Sequence, residues 1–467
     1  PLAAASTPSG LTVDFLGGAE PALGVRRRPS FGWVVPPCAG SKDAMQTAYS
    51  LAVYRDGEPG TPLWRSGRVQ SNASVGVLYA GPALRPGAAY EWTVQTWSGS
   101  SCASAASARA TFVTALGAFR PSAKWIGVGE QDATFNLLRR VVAAPAGARR
   151  VLGFITAQNT DACMLFNYKL FINGTLASAG PGRGEAPVAG GDGVYRSLPY
   201  ITLDLTEHFS AGGPTVIALQ TMQFGANAPA VLMQVDVFSS SGGAEPAQSW
   251  VTEASSAWRV LDADPWLRPN NQVDAAGIPG WDGRDERRCP GARARSAGST
   301  RIEFTDARKE PVGWRSDPLF DDRGWKDAVE IQSAALRPTE LTPRMAGAAV
   351  EILSPIEPVR VAPVPNASRP NDSAFFLDFG KEIQGGLILT VTGGSAGQVV
   401  SFRSGELCTP IIDGRSSSCV AVDQDWQWIF NWTLREGEQT IEQHQYQEWR
   451  YLSVVFEGSA PEHWSVS

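Results

Sequence analysis

The sequence predicts an all-β fold made of three tandem β-sandwich domains, and three observations support this. A chain of 467 residues is too long for one hydrophobic core. Charged residues make up only 18% of it, while 48 glycines and 33 prolines suit short strands joined by turns. Apolar and polar residues also alternate with a period of two in many short runs, as they do in half-buried strands.

The first predicted domain covers residues 11–116. Its runs are bounded by Gly, Pro and Ser at the spacing of a small antiparallel sandwich, and they are Ala48–Tyr54, Val75–Tyr79 and Tyr90–Trp97. The aromatic residues here either fill the core or form a stacking platform for sugars, and their alternation with other apolar residues favours burial. These core candidates are Trp33, Tyr49, Trp64, Tyr90 and Trp92.

The second predicted domain covers residues 120–335 and the third covers residues 345–462. In the second, Asn173 and Gly174 directly follow an apolar run and predict a tight turn with positive φ. Irregular segments at 176–193 and 274–299 interrupt its strands, and we read the latter as an insert that is either functional or decorative. The strand runs of both domains are Asn136–Val142, Tyr168–Ile172, Ile201–Leu205, Val231–Phe238, Ala374–Asp378, Leu387–Val391, Val399–Phe402 and Trp449–Phe456.

Charge and hydrophobicity narrow the class of partner. The net charge is -6, and the only basic run is Arg26–Arg28, which argues against nucleic acid or an anionic membrane. No stretch is long and apolar enough for direct insertion into a membrane. The chain begins at Pro1, so we expect that a secretory signal has been removed and that the protein is secreted or held at the extracellular surface.

The six cysteines fall two in each predicted domain. This distribution predicts three intradomain disulfides and an oxidising compartment, with six reduced, buried thiols as the alternative. The predicted pairs are Cys38 with Cys102, Cys163 with Cys289, and Cys408 with Cys419.

Five sequons satisfy the N-glycosylation pattern, most of them in turn-like contexts where a glycan could be solvated. Together with the paired cysteines they favour an extracellular glycoprotein. Their acceptor residues are Asn72, Asn173, Asn366, Asn371 and Asn431.

Motif strings in each predicted domain resemble the N-terminal half of glycoside hydrolase family 78, the bacterial-type α-L-rhamnosidases. In the first domain they are Arg28–Trp33, Gln46–Tyr49, Leu63–Gly67 and Tyr90–Val94. In the second they are Tyr168–Gly174, Tyr200–Thr206, Phe304–Glu310, Gly313-Trp314 and Phe320–Trp325. In the third they are Asp378–Gly380, Gly385-Gly386, Gly397 with Glu406, and Glu448–Tyr451; Lys381-Glu382 and Trp449 depart from the usual residues.

The resemblance implies a fibronectin-III-like sandwich, a jelly-roll carbohydrate-binding-like domain and a concanavalin-like or super-sandwich domain. In that family an (α/α)6 barrel with two catalytic carboxylates follows the third sandwich, whereas this sequence stops at Ser467. We therefore assign no catalytic residue here and leave open whether this is an enzyme. We expect the barrel to follow in the precursor or to lie on a second chain.

Calcium is the one cofactor that the resemblance makes plausible, because some jelly-roll modules of the family resemble calcium-assisted rhamnose binders. We place an oxygen ligand at Asp192 and a sugar-stacking ring at Tyr195. The alternative is a solvated Asp and a half-buried strand Tyr. Asn173 competes as a candidate, although a glycan there would block a ligand.

Other chemical motifs are better explained structurally. Arg284–Arg287 resembles a string in the family's barrel but lies in a Gly/Pro-rich insert, where chance resemblance is the better account. Gly393–Gly397 matches a nucleophile-elbow pattern without a following helix, so we predict a hairpin turn. The three histidines, His208, His444 and His463, are too scattered for zinc.

The leading hypothesis is an accessory, non-catalytic part of a secreted α-L-rhamnosidase-like glycosidase. Its sandwiches would brace the barrel and help to bind rhamnose-containing glycans. The alternative is a non-catalytic extracellular glycoprotein that uses the sandwiches for carbohydrate binding or structural assembly.

Overall fold

The structure is a computed structural model. It describes residues 7–17, 21–38, 45–58, 60–99, 102–129, 135–143, 145, 148–157, 166–181, 197–209, 213–222, 229–239, 245–263, 267–269, 303–332, 340–343, 354–364, 370–410, 419–422, 428–444 and 447–467. Regular structure in these residues is almost entirely β, with one short 3-10 helix at Thr206–His208, which confirms the predicted fold class.

The strands are numbered in chain order. The first half gives β1 Ser9–Val13, β2 Leu16–Gly17, β3 Ala22–Val25, β4 Ser30–Val34, β5 Ala48–Arg55, β6 Trp64–Arg65, β7 Val69–Gln70, β8 Val77–Leu78, β9 Ala89–Ser98, β10 Cys102–Ala103, β11 Ala110–Thr114, β12 Ile126–Gly127, β13 Phe135–Ala143, β14 Ala148–Ala157, β15 Phe166–Ile172, β16 Thr175–Pro181, β17 Ser197–Asp204 and β18 Pro214–Met222. The second half gives β19 Val231–Ser239, β20 Gln248–Val251, β21 Arg259–Asp262, β22 Leu267–Pro269, β23 Glu303–Asp306, β24 Lys326–Asp327, β25 Val329–Glu330, β26 Glu340–Pro343, β27 Arg360–Val364, β28 Ser373–Gly385, β29 Ile388–Gly394, β30 Val399–Gly405, β31 Leu407–Pro410, β32 Cys419–Val422, β33 Trp428–Thr433, β34 Gly437–Glu442, β35 Gln447–Phe456 and β36 His463–Val466.

The first sandwich packs a sheet of order β2-β1-β4-β8 against one of order β3-β11-β9-β5-β6, which also holds β7 and β10. Its core confirms the predicted burial of Trp33, Tyr90 and Trp92. Tyr49 and Trp64 are partly buried and pack against the same core. The alternating aromatic residues therefore fill the interior instead of forming a sugar platform.

The second sandwich packs a sheet of order β25-β12-β19-β14-β17-β26, with β20 beside β19, against one of order β16-β15-β18-β13-β21-β24. Leu138 and Leu219 of one sheet and Ile155 of the other belong to one buried core. The turn between β15 and β16 has φ of 50° at Asn173 and 83° at Gly174, as the sequence predicts. Asn tolerates this left-handed conformation better than most residues with a side chain.

The third sandwich consists of a large sheet of order β22-β23-β33-β30-β35-β28-β27 and a small one of order β34-β29-β36, with the separate hairpin β31-β32. Two of the family-like strings meet on the large sheet. Arg450 donates to Asp378 through Nε and Nη2 at 2.9 and 3.1 Å. The Asp378 carboxylate also accepts from the backbone N of Gly380, whose φ is 77°.

Two strands of the third sandwich come from chain that the sequence assigns to the second domain. Residues 267–269 and 303–306 lie within the predicted range 120–335, but β22 pairs with β23, and β23 pairs in parallel with β33 of the third sandwich. Ala307, which follows it, is buried in the third core. The chain then returns to the second sandwich, where Trp314 and Trp325 pack on the outer face of the β13-containing sheet and β26 pairs with β17.

A buried arginine of the second sandwich lies beneath residues 307–325, which we call the connecting segment. The side chain of Arg139 in β13 is 1% exposed and pairs with Asp322. Its guanidinium donates to the carbonyl oxygens of Trp314 at 3.0 Å and Asp317 at 2.9 Å. One arginine thereby fixes several points of an otherwise irregular segment, in a geometry that suits its planar fork of donors.

The first and second sandwiches meet in a contact that is apolar at its centre. Phe154 and Tyr200 of the second pack with Leu116 at the end of the first. Beside them, the buried carboxylate of Asp56 accepts from Arg149 at 2.7 Å and from Arg150 at 3.0 and 3.1 Å. Burial and paired charge together argue against free rotation at this junction.

One predicted disulfide is confirmed: Cys38 and Cys102 are bonded, with Cα atoms 6.1 Å apart. Cys408 of β31 is also disulfide-bonded, and Cys419 lies on the paired strand β32. Cys163 and Cys289 lie outside the described residues. In the part of the chain that the structure describes, no helix has the length and hydrophobicity of a membrane span.

Candidate functional site

One end of the second sandwich carries a row of polar side chains inside its core. In the strand register, Asn136 lies opposite Asp262 on one side and Thr221 on the other, and Thr221 lies opposite Tyr168. We call these four residues the polar floor. Side chains alternate between the two faces of a strand, so Asn136 lies on the same inward face as Leu138. The floor is therefore the next row of inward side chains, one step closer to the end of the sandwich.

Two members of the floor are fully buried and lack hydrogen-bond partners among the described residues. Asn136 is 0% exposed and Thr221 is 1% exposed. Neither amide atom of Asn136 nor the hydroxyl of Thr221 has a partner, whereas the Tyr168 hydroxyl lies 3.0 Å from Ser178 Oγ. Leaving such a group unpaired costs about 1–3 kcal/mol, and buried polar atoms normally have a partner in the protein or in ordered water.

The residues predicted to bind sugar, Asp192 and Tyr195, lie outside the described residues. They precede β17, which starts at Ser197. Because β17 runs antiparallel to β14, its start lies at the end of the sandwich where β14 finishes and β15 begins. The floor occupies that same end, so β17 starts at the end of the sandwich that carries the floor.

Sequence reasoning missed the floor. Asn136 precedes Leu137 and Leu138, and Thr221 follows Leu219 at the same inward spacing. A polar residue at an inward position of an apolar strand is the feature that could have identified both, because such positions are usually apolar.

The structure describes four of the five predicted glycan acceptors. Asn72 and Asn371 are exposed at turns or loops. Asn173 is exposed, but its Oδ1 accepts from the backbone N of Val216 at 2.8 Å. Asn431 lies inside β33 with a buried Oδ1, and Asn366 lies outside the described residues.

The remaining motifs contribute no second site. Among the described residues, no group of three or more His, Cys, Asp or Glu side chains is arranged to hold a metal ion. Gly393–Gly397 joins β29 to β30 without a helix; these strands belong to different sheets, so the predicted hairpin turn is wrong. Arg284–Arg287 lies outside the described residues.

Fold and motifs together define an all-β chain of sandwiches joined by well-packed junctions, with a polar floor in the second. Residues 12–118 match the family model described as the Rha78A-like, N-terminal immunoglobulin domain. An α-L-rhamnosidase of Streptomyces avermitilis is 23% identical over 576 aligned positions, which cover 91% of this chain and 54% of the relative.

Solved structures extend the similarity over almost the whole chain. The α-L-rhamnosidase of Dictyoglumus thermophilum matches with a TM-score of 0.70 at 18% identity, over 99% of this chain and 48% of that one. The α-L-rhamnosidase of Aspergillus terreus matches with a TM-score of 0.67 at 19% identity, over 98% and 48%. The resemblance to α-L-rhamnosidases is thus confirmed, and the chain spans about half the length of these relatives.

Proposed function

We propose that the chain is the accessory, non-catalytic part of a secreted α-L-rhamnosidase-like glycosidase. Its three sandwiches brace the catalytic barrel, and the floor end of the second sandwich binds rhamnose-containing glycans. The observation that carries this proposal is the match of nearly the whole chain to about half of each of two solved α-L-rhamnosidases.

The bracing role is supported by the junctions. The first and second sandwiches share a buried apolar cluster, and Lys169 of the second pairs with Glu442 of the third. Interfaces between domains are mobile by default unless they are large and apolar. A row of sandwiches joined in this way can hold a neighbouring domain in a constant position.

The binding role is supported by the chemistry of the floor. Asn136 offers one acceptor and two donors, and the Thr221 hydroxyl offers both functions. Sugar hydroxyls pair with amide, hydroxyl and carboxylate groups, and Asp262 supplies a carboxylate in the same row. A calcium ion bound by Asp192, as the sequence predicts, would add hard-cation contacts to oxygen atoms.

Calorimetry and hydrolysis assays on the purified 467-residue chain test the two parts of the proposal. We expect heat of binding with L-rhamnose, reduced by a chelator if calcium assists, none with D-glucose, and no hydrolysis of an aryl α-L-rhamnoside. Hydrolysis by this chain alone would contradict the accessory role. Absence of L-rhamnose binding, with a native transcript that ends at Ser467, would instead support an extracellular glycoprotein with an assembly role.

Thr221→Val separates a ligand-binding floor from a purely structural one. The substitution keeps the side-chain shape and removes a buried hydroxyl without a partner, so we expect the free energy of unfolding to rise by about 1 kcal/mol. We also expect weaker L-rhamnose binding. Ser178→Ala is the control, because its hydroxyl contacts Tyr168 in the same sandwich. Equal binding by Thr221→Val and the original chain would exclude the hydroxyl as a ligand contact.

Glycan mapping tests the secreted state. In protein from a eukaryotic secretory host, we expect peptide mass spectrometry to find glycans at the exposed residues Asn72 and Asn371. We expect none at Asn431, because its side-chain oxygen is buried within a sheet. Full occupancy at Asn431 would mean that β33 is not paired as described.

A further inference from the structure

A cleft between the second and third sandwiches gathers charged side chains from three parts of the chain. Lys169 comes from β15, Glu442 from the end of β34, and Glu310 and Arg315 from the connecting segment. The cleft has a volume of about 30 Å³, which is space for a water molecule and not for a sugar ring. Its charged groups therefore act chiefly on one another.

Glu442 lies between two cations. The Lys169 Nζ is 2.5 Å from its Oε1 and 2.6 Å from the carbonyl oxygen of Gln443. Arg315 Nη1 is 3.6 Å from its Oε2. The Lys169 side chain is 8% exposed and that of Glu442 is 20% exposed, so solvent screens these pairs only weakly.

The two carboxyl groups respond to this environment in opposite ways. Burial raises the pKa of Glu310, against the opposing attraction of Arg315 and Arg435, and the charge of Glu442 adds to the rise. Burial alone would also raise the pKa of Glu442, but Lys169 and Arg315 hold it below its ordinary value. Between the two pKa values, one carboxyl is neutral and the other is ionised.

We propose that this cleft makes the joint between the second and third sandwiches tightest over a bounded range of pH, in which Glu442 is ionised and Glu310 is protonated. Above that range, Glu310 becomes a buried anion near Glu442. Below it, Glu442 is neutralised, and the buried Lys169 and half-buried Arg315 lose their shared counter-ion. Loss of one partner of a buried pair weakens a fold strongly.

The direction in which each carboxyl group changes stability with pH follows from the shift of its pKa between the unfolded and folded states. A lowered folded-state pKa gives Glu442 a stabilising effect that is present above 4.5 and lost as the pH falls through the folded value. A raised folded-state pKa means that Glu310 stabilises the fold most at low pH, and this stabilisation is lost as the pH rises through the folded-state pKa. Arg435 is a further charged group that acts on Glu310. The titratable His444 packs edge-on against Phe135, with the two ring centroids 5.6 Å apart.

Two single substitutions in the full chain test this joint. Glu310→Gln fixes the neutral form, so its unfolding midpoint should match the original at acidic pH and exceed it by about 2–4 °C at pH 8. Glu442→Gln should lower the unfolding midpoint most at pH values above the ordinary glutamate pKa, and least at the lowest pH of the series. Calorimetry gives the midpoints, and small-angle scattering over the same pH series reports opening of the joint.

Asp321→Asn is the matched control, because Asp321 is a fully exposed carboxyl of the same connecting segment. Midpoint differences for Glu310→Gln that run parallel to this control at every pH would overturn the proposal. If Glu442→Gln fails to fold, the Glu310→Gln series still decides, since it removes a charge without leaving a cation unpaired. None of these measurements depends on sugar binding.

Discussion

Replacing Arg139 with alanine is expected to lower the free energy of unfolding by about 3–5 kcal/mol, the range for removing one partner of a buried charge pair. Arg139 bonds to Asp322 and to the carbonyl oxygens of Trp314 and Asp317. Its loss leaves the buried carbonyl oxygen of Trp314 and the half-buried carboxylate of Asp322 without this donor. Chemical denaturation monitored by tryptophan fluorescence suits the measurement, since Trp314 and Trp325 lie in the affected cluster.

Arg323→Ala is the control for this prediction. Arg323 belongs to the same connecting segment and pairs with Asp321, but its side chain is 89% exposed. We expect no measurable change, because exposed ion pairs contribute little. Equal effects of the two substitutions would show that Arg139 does not fix the segment.

Phe154→Ala is expected to cost a similar amount, about 3–5 kcal/mol, through the cavity it leaves at the junction of the first two sandwiches. Phe154 is 0% exposed, and its ring approaches the first sandwich so closely that a Cβ on Gly87 would lie 3.4 Å from its Cζ. Because this junction couples two sandwiches, we expect the first to unfold as a separate calorimetric transition in the variant.

Phe112→Ala provides the comparison. Phe112 is also 0% exposed, but it belongs to the interior core of the first sandwich. It should destabilise that sandwich without removing the contact with the second. A single, undivided transition in Phe154→Ala would mean that the charge cluster around Asp56 couples the two sandwiches without the apolar contact.

The sequence predicted the strands well because their pattern is local. The run Ala48–Tyr54 lies within β5, and Val231–Phe238 lies within β19. Both are short runs rich in apolar residues, a feature of adjacent residues that can be seen in the sequence alone. The turn at Asn173 and Gly174 is likewise predicted from adjacent residues alone.

Features that depend on distant parts of the chain could not be predicted in this way. Lys169 and Glu442 are 273 residues apart, and no local sequence pattern indicates that they pair. The strand Glu303–Asp306 was placed in the second domain because its neighbours along the chain belong there. Its actual partner, β33, begins more than 100 residues later. Periodicity identifies a strand but not the sheet it joins.

The second and third sandwiches each contain strands from the other's part of the chain, which limits where the coding sequence can be cut. The third sandwich takes β22 and β23 from upstream chain, while the second takes β26 from chain further downstream. Recombination at one point between these strands would leave each product with an unfilled sheet edge, which invites aggregation. A shortened expression clone must therefore keep the second and third sandwiches together or omit both.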